Sequence, residues 1–129
     1  MRAPEFRDYL LDLLKNTPGV QAADRLEDGK HPYAVRVTAG GREQRWQILQ
    51  QLAEGAKHDT PTAPVTGTPA AFVEAPLDGP ADAWLGGAIG AGGSDQVQQI
   101  TVWSTREGDS STGVTVLFHN GERAFLRAL

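Results

Sequence analysis

The sequence predicts an α+β fold: an antiparallel sheet of five to six strands with an N-terminal helix and a short second helix, the two halves joined by a long proline-rich connection. Three observations predict it. Residues 4–16 repeat apolar side chains at helical spacing, residues 33–49 and 114–129 alternate them at strand spacing around glycine turns, and five of the eight prolines fall in 54–80.

Pro4 suits a first helical turn, and Phe6, Leu10, Leu13 and Leu14 then form one apolar stripe. Glu5, Arg7, Asp8, Asp12 and Lys15 take the other side, and Asn16-Thr17-Pro18-Gly19 stops the helix. Val20 to Leu26 reads as a first strand, closed by the polar turn Glu27-Asp28-Gly29-Lys30. Tyr33, Val35 and Val37 then alternate with Ala34, Arg36 and Thr38. Gly40-Gly41 accepts the positive φ of a tight turn, and Gln44, Trp46 and Ile48 continue the alternation, so 33–49 is a β-hairpin.

Prolines and threonines dominate 54–80, and no regular helix survives their spacing. Apart from Val65, Phe72, Val73 and Leu77 the segment has few large apolar groups. Three readings stand: a loop laid across the body, an arm that docks on a neighbour, or a disordered linker. A short helix starts at Pro80, with Trp84, Leu85, Ala88 and Ile89 as its stripe. Gly86, Gly87, Gly90, Gly92 and Gly93 weaken it by up to about 1 kcal/mol each and read as a terminator and joint. They do not read as a phosphate loop, because no strand leads in and no lysine follows.

Val97 to Ser104 is a strand with Ile100 and Val102 on one side and Thr101 and Trp103 on the other. Val114, Val116 and Phe118 alternate next, Asn120-Gly121 turns the chain, and Phe125, Leu126 and Leu129 return it. The predicted core gathers Phe6, Leu10, Leu13, Val35, Val37, Ile100, Val102, Val116 and Phe118 under two helices on one sheet face. The chain is one domain, 1–129, divided into 1–53, the 54–80 passage and 81–129. Both halves run helix then strands, without a residue-by-residue repeat.

Composition narrows function further. There are no cysteines, which removes disulfides, thiolate nucleophiles and thiolate metal sites. The net charge is −4, which argues against non-specific nucleic-acid binding. Residues 1–60 balance nine basic against nine acidic groups, so the acidity belongs to 61–129, with three basic and seven acidic. No apolar run reaches the roughly 20 residues of a membrane span, and no leader pattern opens the chain, so a cytoplasmic protein is expected, or a virion component if phage-encoded.

Motifs for catalysis are sparse. His31, His58 and His119 are far apart and lack metal-ligand spacing. Asp109-Ser110-Ser111-Thr112 offers one acid where a calcium loop needs several, and no G-x-S-x-G surrounds its serines. Asp24 followed by the Val35-Arg36-Val37 strand superficially matches a nuclease order, but arginine does not deprotonate as the strand lysine there does. We expect no enzyme, no cofactor, no metal and no small-molecule substrate. What remains is a candidate interaction surface: Arg36, Arg42, Arg45 and Trp46 of the hairpin, with Phe72 and Trp103. Trp46 shares a face with Gln44 and Ile48, so core placement is its competing reading.

Nine arginines against three lysines, with abundant Ala, Gly and Pro, match coding from a GC-rich genome such as an actinobacterial one. Pro4-Glu5-Phe6-Arg7-Asp8-Tyr9-Leu10-Leu11-Asp12-Leu13-Leu14 and Ala81-Asp82-Ala83-Trp84-Leu85, each with strands after it, resemble in element order the small tail-terminator and head–tail connector proteins of tailed phages. The chain is also similar to small proteins of actinobacterial prophages and integrative elements. The glycine-rich second helix departs from the tail-terminator pattern. The resemblance implies a non-enzymatic ring or interface subunit, a homo-oligomer acting through protein contacts. Two other functions are expected alternatives: a small acidic inhibitor, immunity or anti-defence protein, and an accessory nucleic-acid binder of a mobile element, the latter not favoured by the charge.

Overall fold

In the computed structural model, which describes residues 1–108 and 110–129, the chain forms one six-stranded antiparallel sheet with two helices on a single face. Helix α1 (Ala3–Lys15) is followed by β1 (Val20–Arg25), β2 (Ala34–Ala39) and β3 (Arg42–Gln51). Helix α2 (Ala81–Ala91) precedes β4 (Val97–Val102), a 3-10 turn over Trp103–Thr105, β5 (Gly113–Phe118) and β6 (Arg123–Ala128). The strand order β1-β2-β3-β6-β5-β4 sets two three-stranded meanders side by side, each half's last strand at the centre. The join is the β3–β6 pairing, Trp46 opposite Ala128 through Gln51 opposite Arg123.

The period of two along each strand decides which residues meet the helices. Val35 and Val37, Trp46 and Ile48, Leu126 and Ala124, and Val114, Val116 and Phe118 are all buried on that face. α1 lays Phe6, Leu10, Leu11 and Leu14 over them, with Phe6 edge-on to Phe118 at 5.7 Å. Burying each such side chain contributes about 1.5–3 kcal/mol. Leu13, Ile100 and Val102 are only half-buried: Leu13 lies on the flank of α1 beside Gly92, and Ile100 and Val102 border a cleft beside α2. Leu85 and Ile89 of α2, Trp46 and Leu126 belong to the core as well, beyond those the alternation of apolar residues assigned.

The turns follow the glycines. Gly40 and Gly41 have φ of 58° and 77° between β2 and β3, and Gly121 has 91° between β5 and β6. β4 ends at Val102, two residues before the predicted limit, because the chain tightens into the 3-10 turn that carries Trp103 over Gly113.

The passage over 52–80 has no regular structure, and it is a strap laid across the body rather than a free arm or an unordered linker. Arg2 donates to the carbonyls of Lys57 (3.0 Å), His58 (3.0 Å) and Thr60 (2.6 Å). Gly67 N–H donates to Asp95 O at 2.7 Å, and His119 Nε2 lies 2.9 Å from Thr68 O. His119 therefore ties the strap down. The strap next crosses α2, with Phe72 on Gly90 and the Val73–Ala75 backbone on Gly87. Arg42 then holds the carbonyls of Leu77 (2.8 Å) and Gly79 (3.1 Å).

That crossing corrects the reading of the glycines. Gly86, Gly87 and Gly90 lie inside α2, and a side chain on Gly87 would meet Val73 O at 2.9 Å. The missing Cβ atoms let strap and strand approach the helix closely. Only Gly92 and Gly93 terminate it, Gly93 at φ 66°.

Glu122 fixes the other end of the strap. It is 3% exposed and meets the Met1 amine at 3.0 Å and Arg2 Nε at 3.0 Å, while Asn120 Nδ2 donates to it at 3.0 Å. Burial pushes its carboxyl up, but the bonds from Asn120, Met1 and Arg2 outweigh that and hold it below the ordinary value. A depressed carboxyl stabilises the fold fully above its unfolded value, near 4.5, and loses that contribution as pH falls through the lower folded value. Thermal melts between about pH 3 and pH 7 are expected to show a steeper acid loss in the wild type than in Glu122→Gln. Parallel curves would assign the acid sensitivity elsewhere.

Candidate interaction face

With both helices on one side, the other face of the sheet is left uncovered. Side chains of opposite parity fill it: Arg36 on β2, Glu43, Arg45, Gln47 and Leu49 on β3, Arg123, Phe125 and Arg127 on β6, and Thr115 and Leu117 on β5. Pairing aligns them in rows. Leu49 lies opposite Phe125 and Phe125 opposite Thr115, while Gln51 lies opposite Arg123 and Arg123 opposite Leu117. Leu49, Phe125 and Leu117 thus make a short apolar strip across three strands, with Leu49 39% exposed.

Arginines ring the strip. Arg45, Arg106, Arg123 and Arg127 are exposed and Arg36 is half-exposed, against Asp24 and Glu43 as the carboxylates these strands place there. Arg36 lies 3.5 Å from Asp24 and 3.8 Å from Glu43, and Arg45 lies 3.2 Å from Glu43. Such exposed pairs are worth about 0–1 kcal/mol, so they hold the guanidiniums weakly. Arg127 donates to Gln47 Oε1 at 3.0 Å. At one end Trp103 lies against Gly113, its Nε1 donating to Thr115 Oγ1 at 2.8 Å, with the Arg106 guanidinium 5.5 Å from its ring. A groove of about 260 Å³ runs between Arg106, Arg123, Phe125 and Leu117. Compared with protein-family models, curated proteins and solved structures, the chain finds no match.

The six residues nominated from sequence separate. Arg36, Arg45 and Trp103 lie on the open face. Trp46 does not: it is 1% exposed and points into the core, its Nε1 donating to Gln44 Oε1 at 3.2 Å. Arg42 shares that inward parity, and its guanidinium is engaged by the strap carbonyls. Phe72 sits on the helical side against Gly90, 44% exposed. Leu49, Leu117, Phe125, Arg123 and Arg127 were missed. The signal was present in Arg123-Ala124-Phe125-Leu126-Arg127, whose alternation puts Phe125 with the arginines and Leu126 in the core.

The arrangement offers docking chemistry: flat apolar area, aromatic edges and guanidiniums. Among the described residues no group of three or more His, Asp or Glu is placed to hold a metal ion. Asp109, the acid of the oxygen-rich loop, lies outside the described residues. Among the described residues no helix is long and apolar enough to cross a membrane.

Proposed function

We propose that the protein is a non-catalytic assembly subunit of phage or prophage type, working by protein–protein contact, and that its open sheet face docks on a second copy of the chain. The observation that carries this reading is the strip of Leu49, Phe125 and Leu117 within five arginines, on a chain whose net charge is −4. Arginine and aromatic side chains around a small apolar centre have the composition of interface hot spots. Because this face collects cations, the rest of the surface carries the excess acid, and a neighbour presents it. Contact between two different surfaces is head-to-tail, the geometry that closes into rings. The resemblance in element order to tail terminators is in keeping with it.

Sedimentation velocity across a concentration series tests the reading. The wild type is expected to form a discrete oligomer that about 0.5 M salt weakens. Phe125→Ala and Arg123→Glu should return it to monomer while changing the unfolding free energy, measured where the wild type is also monomeric, by no more than about 0.5 kcal/mol, as ordinary surface substitutions do. A wild type that stays monomeric at every concentration would overturn it.

Trp103 and Phe125 among the same arginines favour a second reading, a single-stranded nucleic-acid platform on this face. Fluorescence anisotropy of a labelled oligonucleotide separates the two. Salt-sensitive binding lost in Phe125→Ala supports the platform, and no binding at low salt retires it.

A further inference from the structure

The sheet has two edges, β1 and β4, and they are built differently. β1 carries Asp24 and Arg25 and an irregularity between Val20 and Ala22, features that discourage another strand from adding to an edge. β4 is Val97-Gln98-Gln99-Ile100-Thr101-Val102, without a charge or a proline. Its irregularity lies at its start, between Val97 and Gln99, and Gln99 through Val102 then keep regular register with Leu117 through Val114. An antiparallel edge of this kind presents alternate N–H and C=O groups outward, here those of Ile100 and Val102, of which the Val102 carbonyl already accepts from Thr105 Oγ1 at 2.7 Å.

A cleft of about 440 Å³ opens beside that edge on the helical side. The strap supplies Phe72 and Val73, α2 supplies Ala83 and Gly86, and β4 itself supplies Ile100 and Val102. Among the described residues that line it, none is charged. Phe72 is 44% and Val73 82% exposed, large apolar groups held at a rim. Gly86 lets β4 close on α2 at the floor, since a Cβ there would meet Val102 Cγ2 at 2.6 Å.

We propose that the free edge of β4 takes up an extended, uncharged segment of a partner protein as a seventh strand, with one apolar side chain of that segment seated in the cleft. The main-chain groups of the edge set the occupant's backbone: only an extended strand runs alongside them and satisfies donors and acceptors in turn. The period of two sets its side chains. Those directed to the helical side fall beside Ile100 and Val102, in the cleft, and those between them fall beside Gln99 and Thr101. The absence of charge on β4 and around the cleft selects a neutral segment with a residue of leucine size, because a charged group there would lose its water without a partner. This surface is separate from the open face, and the proposal does not rest on the assembly reading.

The test is a nuclear magnetic resonance titration of the full ¹⁵N-labelled chain with the capped peptide Thr-Val-Thr-Leu-Thr-Val-Thr. Saturable shifts are expected at the amides of 98–102 and at Gly86 and Gly87. Two isomers of the peptide, N-methylated on one or the other set of alternate residues, should differ, one losing about tenfold or more in affinity. Exchanging the central leucine for aspartate in the peptide, or Ala83→Phe in the protein, should abolish binding by denying or filling the cleft. The peptide variant keeps the test sound if the protein variant misfolds. Unmoved β4 amides overturn the proposal. So does equal binding of both methylated isomers, which would mark the cleft as a pocket for apolar groups alone. A β4 edge already paired with another copy before peptide is added would overturn it too.

Discussion

Trp46→Ala is expected to lower the free energy of unfolding by about 3–5 kcal/mol, the range for emptying a buried aromatic site. The ring sits on β3, the strand that joins the two meanders, opposite Val35 on one side and Ala128 on the other. At 1% exposure almost all of its area is withdrawn from water. Its removal also takes the donor from Gln44 Oε1, in a side chain whose amide nitrogen already has no partner among the described residues. Against a total stability of about 5–15 kcal/mol, that loss is a large share. Urea denaturation followed by circular dichroism measures it, and Trp46→Phe should restore more than half. A midpoint for Trp46→Ala close to the wild type's would show that the ring is not part of the core. The contrast with Phe125→Ala is informative: Trp46→Ala is expected to lose stability, and Phe125→Ala, on the proposed reading, to lose association instead.

The two tryptophan-bearing candidates show how far sequence reasoning reaches in this fold. Alternation groups Trp46 with Gln44 and Ile48, and arginines beside it invite a surface role. A strand's period says which residues share a face but not which face the helices cover. Val35 and Val37 pair across β2 with Trp46 and Gln44, and α1 lies over that side, which settles the parity for the whole sheet. Once the parity is known, the open face follows, and Phe125 with Arg123 and Arg127 comes into view. α1, both tight hairpins and the three C-terminal strands were legible locally, since each depends on neighbours within a few residues. The strap was not. Its path depends on Arg2, His119, Arg42 and the glycines of α2, all distant in the chain, and its prolines and threonines carry no period.

Asp82→Ala is expected to cost about 2–5 kcal/mol, through donors left without an acceptor rather than through lost packing. Asp82 has no exposure at all, in the first turn of α2, where the helix's positive end favours a carboxylate. Its Oδ1 accepts from Ser104 Oγ at 2.6 Å, and its Oδ2 accepts from the backbone N–H groups of Ser104 (3.0 Å) and Gly113 (3.2 Å). One carboxylate thus ties α2 to the 3-10 turn and to the first residue of β5. Alanine would strand the buried Gly113 N–H, which costs about 1–3 kcal/mol by itself, and would release the Ser104 N–H as well. Asp82→Asn keeps one oxygen for the two N–H groups, while its amide nitrogen faces the Ser104 hydroxyl, which turns to accept. It should therefore lose about half as much. Trp103 provides the second readout, because its ring rests on Gly113 and it precedes Ser104, so both groups that Asp82 fixes also fix the ring. In Asp82→Ala the Trp103 indole resonance should broaden or shift while that of Trp46 stays in place. If unfolding is unchanged, or if Trp103 keeps its resonance, the tie is not what holds this corner of the open face.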